Sequence, residues 1–328
     1  MRIPGGGRTA LALALLAAAL LVLPFFVGNY VLSVLVVFLF AAYLGQCWNI
    51  MMGFAGLLSL GHALYAGLGA YVSAALYVRF GVPPWFGLIA GVAVAAVAGA
   101  GIAALSFRFG VTGVYFALLT IAFDEFTRIL FDHFDWVGGS AGLFLPVKTL
   151  THSDVWQLRG SPAMFYYLLL ALSAAVLVLS RTLLDRRIGY YWLAIREDQA
   201  AAQSLGIDVF RYKMAAVILS AALTAVAGAL QAFYDNNLYP DTIFTTARSV
   251  EIITGPVIGG VGTLFGPIVG AFVLTTLGEA MTVVGSMFGV PGLKQWFYGA
   301  ALVIIVLLQP SGLWPWIRRS LRLGEDAR

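Results

Sequence analysis

The sequence has 328 residues, of which 61% are hydrophobic and 10% are charged, and its formal net charge is +4. Soluble proteins carry roughly 25% charged residues, so this composition excludes a soluble protein and predicts a multi-pass membrane protein. The small positive charge does not indicate nucleic-acid binding, because in a membrane protein it reflects basic loops on the cytoplasmic side. The sequence contains no G-x-x-x-x-G-K-[ST] loop, so we expect no nucleotide hydrolysis by this chain itself.

No pattern of residues indicates a catalytic centre, a metal site or a bound cofactor. Cys47 is the single cysteine, which excludes an internal disulfide and is typical of buried packing. Ser59 and His62 are close together, but no acidic residue accompanies them, so they do not indicate a serine protease. We therefore expect a protein that is not an enzyme.

Apolar runs of about 20 residues predict a single all-α transmembrane domain over residues 1–328, with about 8–10 transmembrane helices. Residues 1–27 contain two arginines and a long apolar run without a cleavage site, so we expect an uncleaved first span. The other uninterrupted spans are predicted at residues 30–47, 86–105, 113–130, 161–180, 214–233 and 293–308.

Two further apolar segments are rich in glycine and are predicted to be broken helices. The first covers residues 48–78 and contains five glycines, at positions 53, 56, 61, 67 and 69. The second covers residues 252–276 and is predicted to break at Pro256 and Pro267. Non-helical backbone is tolerated at membrane depth only where it is buried in protein or lines a cavity, so these segments are candidates for a transport path.

A charged segment, residues 181–213, lies between two long apolar regions and contains ten of the charged residues of the chain. It therefore cannot lie in lipid. Within it, Asp198 is a good helix N-cap, residues 199–205 are rich in alanine, and Gly206 lies where a helix would end in the left-handed conformation. The sequence predicts a short helix held between two membrane spans.

This short helix is predicted to be amphipathic. We expect its apolar residues to face one way and its polar residues another: Ile195, Ala202 and Leu205 against Arg196, Glu197 and Gln203. An amphipathic helix on a rigid membrane mount is suited to docking into a groove of another protein.

The positive-inside rule orients the predicted spans. With both termini and residues 181–213 in the cytoplasm, thirteen of the 19 Lys and Arg residues are cytoplasmic. The reverse orientation would place the basic segment outside, so we reject it. We expect a multi-pass protein of the inner (plasma) membrane with both termini in the cytoplasm.

The run Ala200-Ala201-Ala202-Gln-Ser-Leu-Gly206 resembles the coupling loop of ABC importer permeases, in which two alanines precede a glycine by a fixed spacing. The acidic residue expected just before the alanines is replaced by Gln199 or Ala200, although two acids lie close by. Four longer stretches are similar to the branched-chain amino acid permease family of the LivM type: residues 53–72, 113–129, 194–230 and 249–271.

The resemblance implies an ABC importer permease fold and the role of a permease subunit in an ATP-driven importer of branched-chain amino acids or related solutes. Similar relatives handle urea, amides, aromatic acids or dicarboxylic acids. The implied partners are a homologous second permease subunit (LivH-like), two cytoplasmic ABC ATPases and an extracytoplasmic substrate-binding protein, and membrane lipid surrounds the spans. Closure of the ATPases would push on the 198–206 helix and tilt the bundle. The residues implied in this coupling are Arg196, Glu197, Asp198, Ala200, Ala201, Ala202 and Gly206.

Five polar residues in apolar surroundings are candidates for the translocation path: Asn49, Ser59, His62, Glu125 and Glu251. An intramembrane charge costs roughly 2.5–3.5 kcal/mol, which favours a function for Glu125. The alternative that Glu125 and Arg128 neutralise each other at i and i+3 stays open. Glu251 equally suits a half-helix N-terminus, where an acid is favourable, and His62 suits packing.

A second class of protein, an ion-coupled secondary transporter, would use Glu125 or Glu251 as a proton site. Such a transporter has no need of a coupling loop, so the alanine–glycine run favours the ABC importer.

Overall fold

We describe the protein from a computed structural model that defines residues 19–146, 154–289 and 292–320. Within these residues the chain is a bundle of helices, and its only strand pair is Leu143–Phe144 with Asn237–Leu238, which run antiparallel. The predicted all-α polytopic architecture is confirmed. The predicted first span, residues 1–27, falls mainly outside the described residues.

Six helices of the described chain are long and apolar enough to cross a membrane. They are α1 (Asn29–Asn49, extended by a π-helical turn, Ile50–Phe54), α2 (His62–Phe80), α3 (Pro84–Arg108), α5 (Pro162–Leu184), α8 (Val209–Asp235) and α11 (Gly266–Phe288). Two more long helices are α4 (Val114–Asp132), which carries intramembrane charges, and α12 (Leu293–Leu308), which has 16 residues. The short helices are α6 (Arg187–Glu197), α7 (Gln199–Ser204), α9 (Pro240–Ile243), α10 (Thr246–Gly259) and α13 (Leu313–Ser320).

Proline and glycine define several of the helix boundaries. Pro84, Pro162 and Pro267 lie in the first turns of α3, α5 and α11, where a missing N–H costs nothing. Gly81 ends α2 and Gly289 ends α11, each with a φ of 65°. A residue with a Cβ is disfavoured in this left-handed conformation, so the two glycines allow the chain to leave each helix without strain.

At the centre of the bundle, α2, α3 and α8 are in close contact. The contact is close because glycines at this interface have no side chains to separate the helices. A Cβ placed on Gly228 of α8 would overlap the backbone of Ala66 in α2, and one on Gly69 would overlap the backbone of Ala225. On the other side of α2, a Cβ on Gly91 of α3 would lie 2.9 Å from the Gly69 carbonyl oxygen. Helices in a membrane associate largely through such packing, so these positions hold the bundle together.

The first glycine-rich segment is broken, as predicted. The chain leaves helical geometry at residues 55–61 (the first break), between the π-helical turn and α2. Gly56 adopts a φ of 70° within it, whereas Gly67 and Gly69 lie inside the regular helix α2. These two glycines serve helix packing, so the break occupies only part of the predicted segment, residues 48–78.

The second break differs from its predicted position. Non-helical backbone occupies residues 260–265 (the second break), between α10 and α11. Pro256 lies inside α10, and Pro267 lies in the first turn of α11, so neither proline is itself the break. Gly45 of α1 makes room for the Pro256 ring, because a Cβ at Gly45 would lie 3.1 Å from two ring carbons. The break instead begins at Gly260 and includes Gly262, and the φ angles of these two residues are 120° and 79°.

Helix α8 separates two ends of the bundle. Its 27 residues span about 40 Å at 1.5 Å per residue. The 181–213 segment lies at its N-terminal end, and the strand pair follows its C-terminal end. Arg159 ties the 154–159 turn to this second end, since its Nη1 donates to Asn236 Oδ1 at 2.8 Å.

We predict that Gly228→Ala destabilises the bundle by about 1–3 kcal/mol, because the added Cβ meets backbone atoms that cannot move independently. The measurement is the thermal unfolding midpoint of the purified protein in detergent, together with its yield from membranes. Gly101→Ala is the matched control, because a Cβ added to this α3 glycine would meet no neighbouring atom within 4 Å. Equal stability of the two variants would contradict the proposed packing role.

Candidate coupling segment and transport cavity

Helix α7 has the local structure that the sequence predicts. The Asp198 Oδ1 atom accepts hydrogen bonds from the N–H groups of Ala200, at 2.8 Å, and Ala201, at 3.0 Å. Gly206 follows the helix with a φ of 82°, and its N–H donates to the Gln203 carbonyl at 2.9 Å. The N-cap, the short helix and its glycine ending are confirmed, and the coupling role of these residues stays a prediction.

The two faces of α7 are arranged differently from the prediction. Ala202 is 2% exposed and packs with Ile195 and Val209 in a small apolar cluster. Leu205 is 81% exposed and lies outside that cluster. The prediction that Leu205 shares the face of Ile195 and Ala202 was therefore wrong.

The turn after α7 explains this difference. The left-handed Gly206 reverses the chain, so that the Ile207 N–H donates to the Ala202 carbonyl at 3.1 Å. The residues that follow then cover Ala202. It is not available to a partner protein, whereas Ala200 and Ala201 are exposed.

The 181–213 segment is rigidly mounted on the start of α8. Trp192 is fully buried, and its Nε1 donates to the Tyr212 carbonyl at 2.8 Å. The rings of Tyr191 and Tyr212 pack edge to face at 4.7 Å. Lys213 Nζ donates to Gln199 Oε1, which joins the first residue of α7 to α8. These contacts hold α6 and α7 against the start of α8.

Arg196 points from α6 toward the first break. Its Nη1 donates to the Gly53 carbonyl oxygen at 2.6 Å, across 143 positions of sequence. Its Nη2 pairs with Glu197 Oε1 at 2.8 Å, and the Glu197 side chain is 74% exposed. Of these two predicted coupling residues, Glu197 lies on the surface and Arg196 contacts the transmembrane helices.

Asn49, the last residue of α1, lies beside the second break and is 2% exposed. Its Oδ1 accepts from the Gly262 N–H at 2.8 Å, and its Nδ2 donates to the Thr263 carbonyl at 2.9 Å. Asn49 therefore joins the end of α1 to the second break.

Ser59 and His62 are fully buried and have structural partners. The Ser59 carbonyl accepts from Trp48 Nε1 at 2.9 Å. The Ser220 hydroxyl donates to the Cys47 carbonyl at 2.8 Å, and because it has one hydrogen, His62 Nε2 must donate to Ser220 Oγ at 2.9 Å. These contacts hold both residues within the bundle, and their predicted place on a translocation path stays untested.

Glu125 forms an ion pair with Arg128, and its predicted place on a translocation path stays untested. Its Oε1 lies 2.6 Å from Arg128 Nη2, and Arg128 also pairs with Asp241 beyond the end of α8. The neighbouring Asp124 is fully buried and accepts from Ser249 Oγ at 3.3 Å. The geometry agrees with the neutralisation that the spacing of Glu125 and Arg128 predicts.

A cavity of about 760 Å³ opens near the C-terminal end of α8, between α2, α8, α10 and α12. Most of its lining is apolar, and we name it the polar cavity after the charged side chains that it contains. Glu251 lines it, whereas the other four candidate path residues do not. Three polar side chains beside Glu251 form a continuous network. Arg248 donates to Glu251 at 2.6 Å and to Gln231 at 2.9 Å, and Gln231 Nε2 donates to Asp235 at 3.2 Å.

Sequence reasoning missed Gln231, Asp235 and Arg248 as cavity residues. Their spacing could have indicated that they pair, because residues three or four positions apart on a helix are neighbours on its surface. Gln231 and Asp235 are four apart, and Arg248 and Glu251 are three apart. The cavity is also lined by small apolar residues of α2 and α8, namely Ala66, Ala70, Gly228 and Ala232. A cavity with both charge signs and a smooth apolar wall is suited to a small solute that carries both charge signs.

The apolar helices, the two breaks and the arrangement of a polar cavity and an exposed helix at opposite ends of α8 define a multi-pass membrane permease. The chain belongs to the family described as branched-chain amino acid transport system / permease component, whose model matches residues 30–306. The predicted identification as a permease subunit of an ABC importer of this family is confirmed.

Individual relatives agree with this family. The chain is 32% identical over 342 residues to the high-affinity branched-chain amino acid transport system permease protein LivM of Escherichia coli (strain K12), covering 95% of this chain and 77% of LivM. It is 25% identical over 178 residues to LivH of Salmonella typhimurium, covering 54% of this chain and 52% of LivH. Among solved structures, PsaBC from Streptococcus pneumoniae in complex with Fab aligns with a TM-score of 0.45 and 16% identity, over 94% of this chain and 99% of that chain.

Proposed function

We propose that this permease imports branched-chain amino acids and that α7 docks onto a cytoplasmic ATPase partner. The observation that carries the proposal is the capped helix α7, which stands outside the apolar spans and is fixed to α8 through the bond from Lys213 to Gln199. The substrate follows the family description and the LivM relative.

The exposed face of α7 supports docking. Leu205 presents 81% of its surface to solvent, and burial of a leucine side chain contributes about 1.5–3 kcal/mol. Ala200 and Ala201 are small, so the wall of a groove can approach the helix backbone closely. The exposed Leu205 is the apolar anchor, and the alanines set the distance of approach.

The proposed assembly contains more than this chain. The sequence has no phosphate-binding loop, so two ATPase subunits supply the energy. The similarity to LivH supports a homologous second permease subunit that completes the path. An extracytoplasmic binding protein delivers substrate at the side opposite α7.

The proposed orientation places α7 and both termini in the cytoplasm. It is supported by the concentration of basic residues in the 181–213 segment. The polar cavity then opens toward the outside, where substrate arrives. The cavity network carries two acids and one arginine, which complement the ammonium and carboxylate groups of an amino acid.

The ion-coupled alternative has no comparable support. Glu125 is held by Arg128 and Glu251 by Arg248, each at 2.6 Å. Membership of the permease family favours the ABC importer.

The orientation predicts opposite labelling of two exposed positions in a Cys47→Ala background. Leu205→Cys should react with a membrane-impermeant maleimide only after the cells are permeabilised. Trp156→Cys should react in intact cells, because Trp156 is 60% exposed near the C-terminal end of α8. The reverse pattern would overturn the proposed orientation.

Docking through α7 predicts that Ala201→Glu weakens ATPase association, by roughly 3 kcal/mol where the new charge is desolvated. The measurements are copurification of the ATPase chains and substrate-stimulated ATP hydrolysis, and both should fall while the subunit still reaches the membrane. Ala201→Ser is the control, because it keeps a small neutral side chain at the same position. Normal uptake without ATP by the Ala201→Glu variant would refute the ABC assignment.

A path through the polar cavity predicts that Glu251→Gln lowers leucine uptake at least ten-fold without reducing ATPase copurification. The substitution removes a charge that complements the substrate and leaves Arg248 without its closest partner. Glu125→Gln is the comparison variant, because Glu125 does not line the cavity. Equal effects of the two substitutions on uptake would argue against a path at Glu251.

A further inference from the structure

We propose that Arg196 and Asn49 are positioning residues that connect the coupling helix to both helix breaks and so convert movement of α7 into movement of the transport path. We name this contact the Arg196–Asn49 link. The proposal rests on the proposed function, because it assumes that α7 is the element moved by the ATPases. It assigns Arg196 a role inside the permease rather than at the ATPase surface.

Arg196 is placed where a movement of α7 must reach it. It is the second-last residue of α6, and only Glu197 separates it from the N-cap Asp198. Its guanidinium lies inward, with 34% of the side chain exposed. The 2.6 Å bond from Nη1 to the Gly53 carbonyl joins it to the π-helical turn of α1.

Both breaks approach this one side chain closely. A Cβ on Gly56, in the first break, would lie 2.8 Å from Arg196 Cγ and 3.1 Å from its Cα. A Cβ on Gly262, in the second break, would lie 2.8 Å from Arg196 Nη1 and 3.0 Å from the Gly53 carbonyl oxygen. The glycines leave space that the arginine occupies, so the backbone of both breaks lies directly against this one side chain.

Asn49 completes the connection on the opposite side. Its carboxamide oxygen and nitrogen bind the Gly262 N–H and the Thr263 carbonyl, so two hydrogen bonds hold the second break to the end of α1. A Cβ on Gly53 would lie 2.7 Å from the Gly262 nitrogen, which shows that the π-helical turn and the second break are in direct contact. Arg196, Gly53, Gly262 and Asn49 therefore form one continuous contact.

The second break leads directly to the polar cavity. Helix α10 ends at Gly259, immediately before the break, and its first turns carry the cavity residues Arg248 and Glu251. Its 14 residues span about 21 Å, so α10 is a rigid arm between the two regions. Gly260 and Gly262 have positive φ angles, which a residue with a Cβ rarely adopts, and they change the direction of the chain at the end of this arm.

The test uses the whole importer, purified with its ATPase chains and reconstituted in liposomes with its binding protein. The quantity measured is ATP hydrolysed per molecule of radiolabelled leucine transported. Arg196→Ala and Asn49→Ala should each raise this ratio at least ten-fold, with ATPase copurification unchanged. Arg196→Lys should give an intermediate ratio, because an ammonium can bind Gly53 but lacks the second arm of the guanidinium.

Arg211→Ala is the matched control. It removes the same charge from the same segment, but Arg211 is 83% exposed and pairs with Asp208. Its ratio should equal that of the wild type. The double variant Arg196→Ala with Asn49→Ala should be no worse than either single variant, because both interrupt one connection.

Three results would overturn the link: an unchanged ratio in Arg196→Ala, an equal rise in Arg211→Ala, or a double variant whose defect is the product of the single ones. In each of these cases copurification of the ATPases with the wild type would leave the proposed function intact. Failure of the wild-type chain to bind any ATPase would instead refute the proposed function and the link together.

Discussion

Backbone that leaves a helix inside a membrane protein must find its hydrogen-bond partners within the protein, because the hydrocarbon offers none. Both breaks of this permease meet that demand with side chains from neighbouring helices. Asn49 satisfies two backbone groups of the second break, and Thr120 Oγ1 accepts from the Leu60 N–H in the first. Trp48 Nε1 binds the Ser59 carbonyl beside it. Helix α1 therefore supports both breaks, and α4 supports the first, so their positions depend on each other through that break.

The sequence predicted the helices well, since long apolar runs leave few alternatives in a membrane. It also predicted Asp198 and Gly206 as the ends of α7, because capping depends on neighbouring residues alone. It failed where tertiary packing decides. Pro256 stays inside α10 because Gly45, on another helix, leaves room for its ring. Leu205 is exposed because the chain turns back over Ala202, which helical periodicity does not describe.

The candidate site shows the same limit. Glu251 could be found from sequence as an acid in an apolar segment, and it does line the polar cavity. Its partners Arg248, Gln231 and Asp235 lie on two helices that only the fold brings together. Asn49 was found as a polar residue but its contacts were not, because Gly262 and Thr263 are more than 200 positions away. Short-range patterns identify unusual residues, and the fold decides what they touch.

The length of α8 has a consequence for the surrounding lipid. Its 27 residues cover about 40 Å, whereas the hydrocarbon layer of a bilayer is about 30 Å thick. Part of α8 must therefore stand clear of the acyl chains or the helix must tilt. Because Lys213 fixes α7 to the first turns of α8, either adjustment changes the position of α7 relative to the bilayer. Under the proposed docking of α7, acyl-chain length becomes a physical variable that acts on the contact between the permease and its ATPase partner.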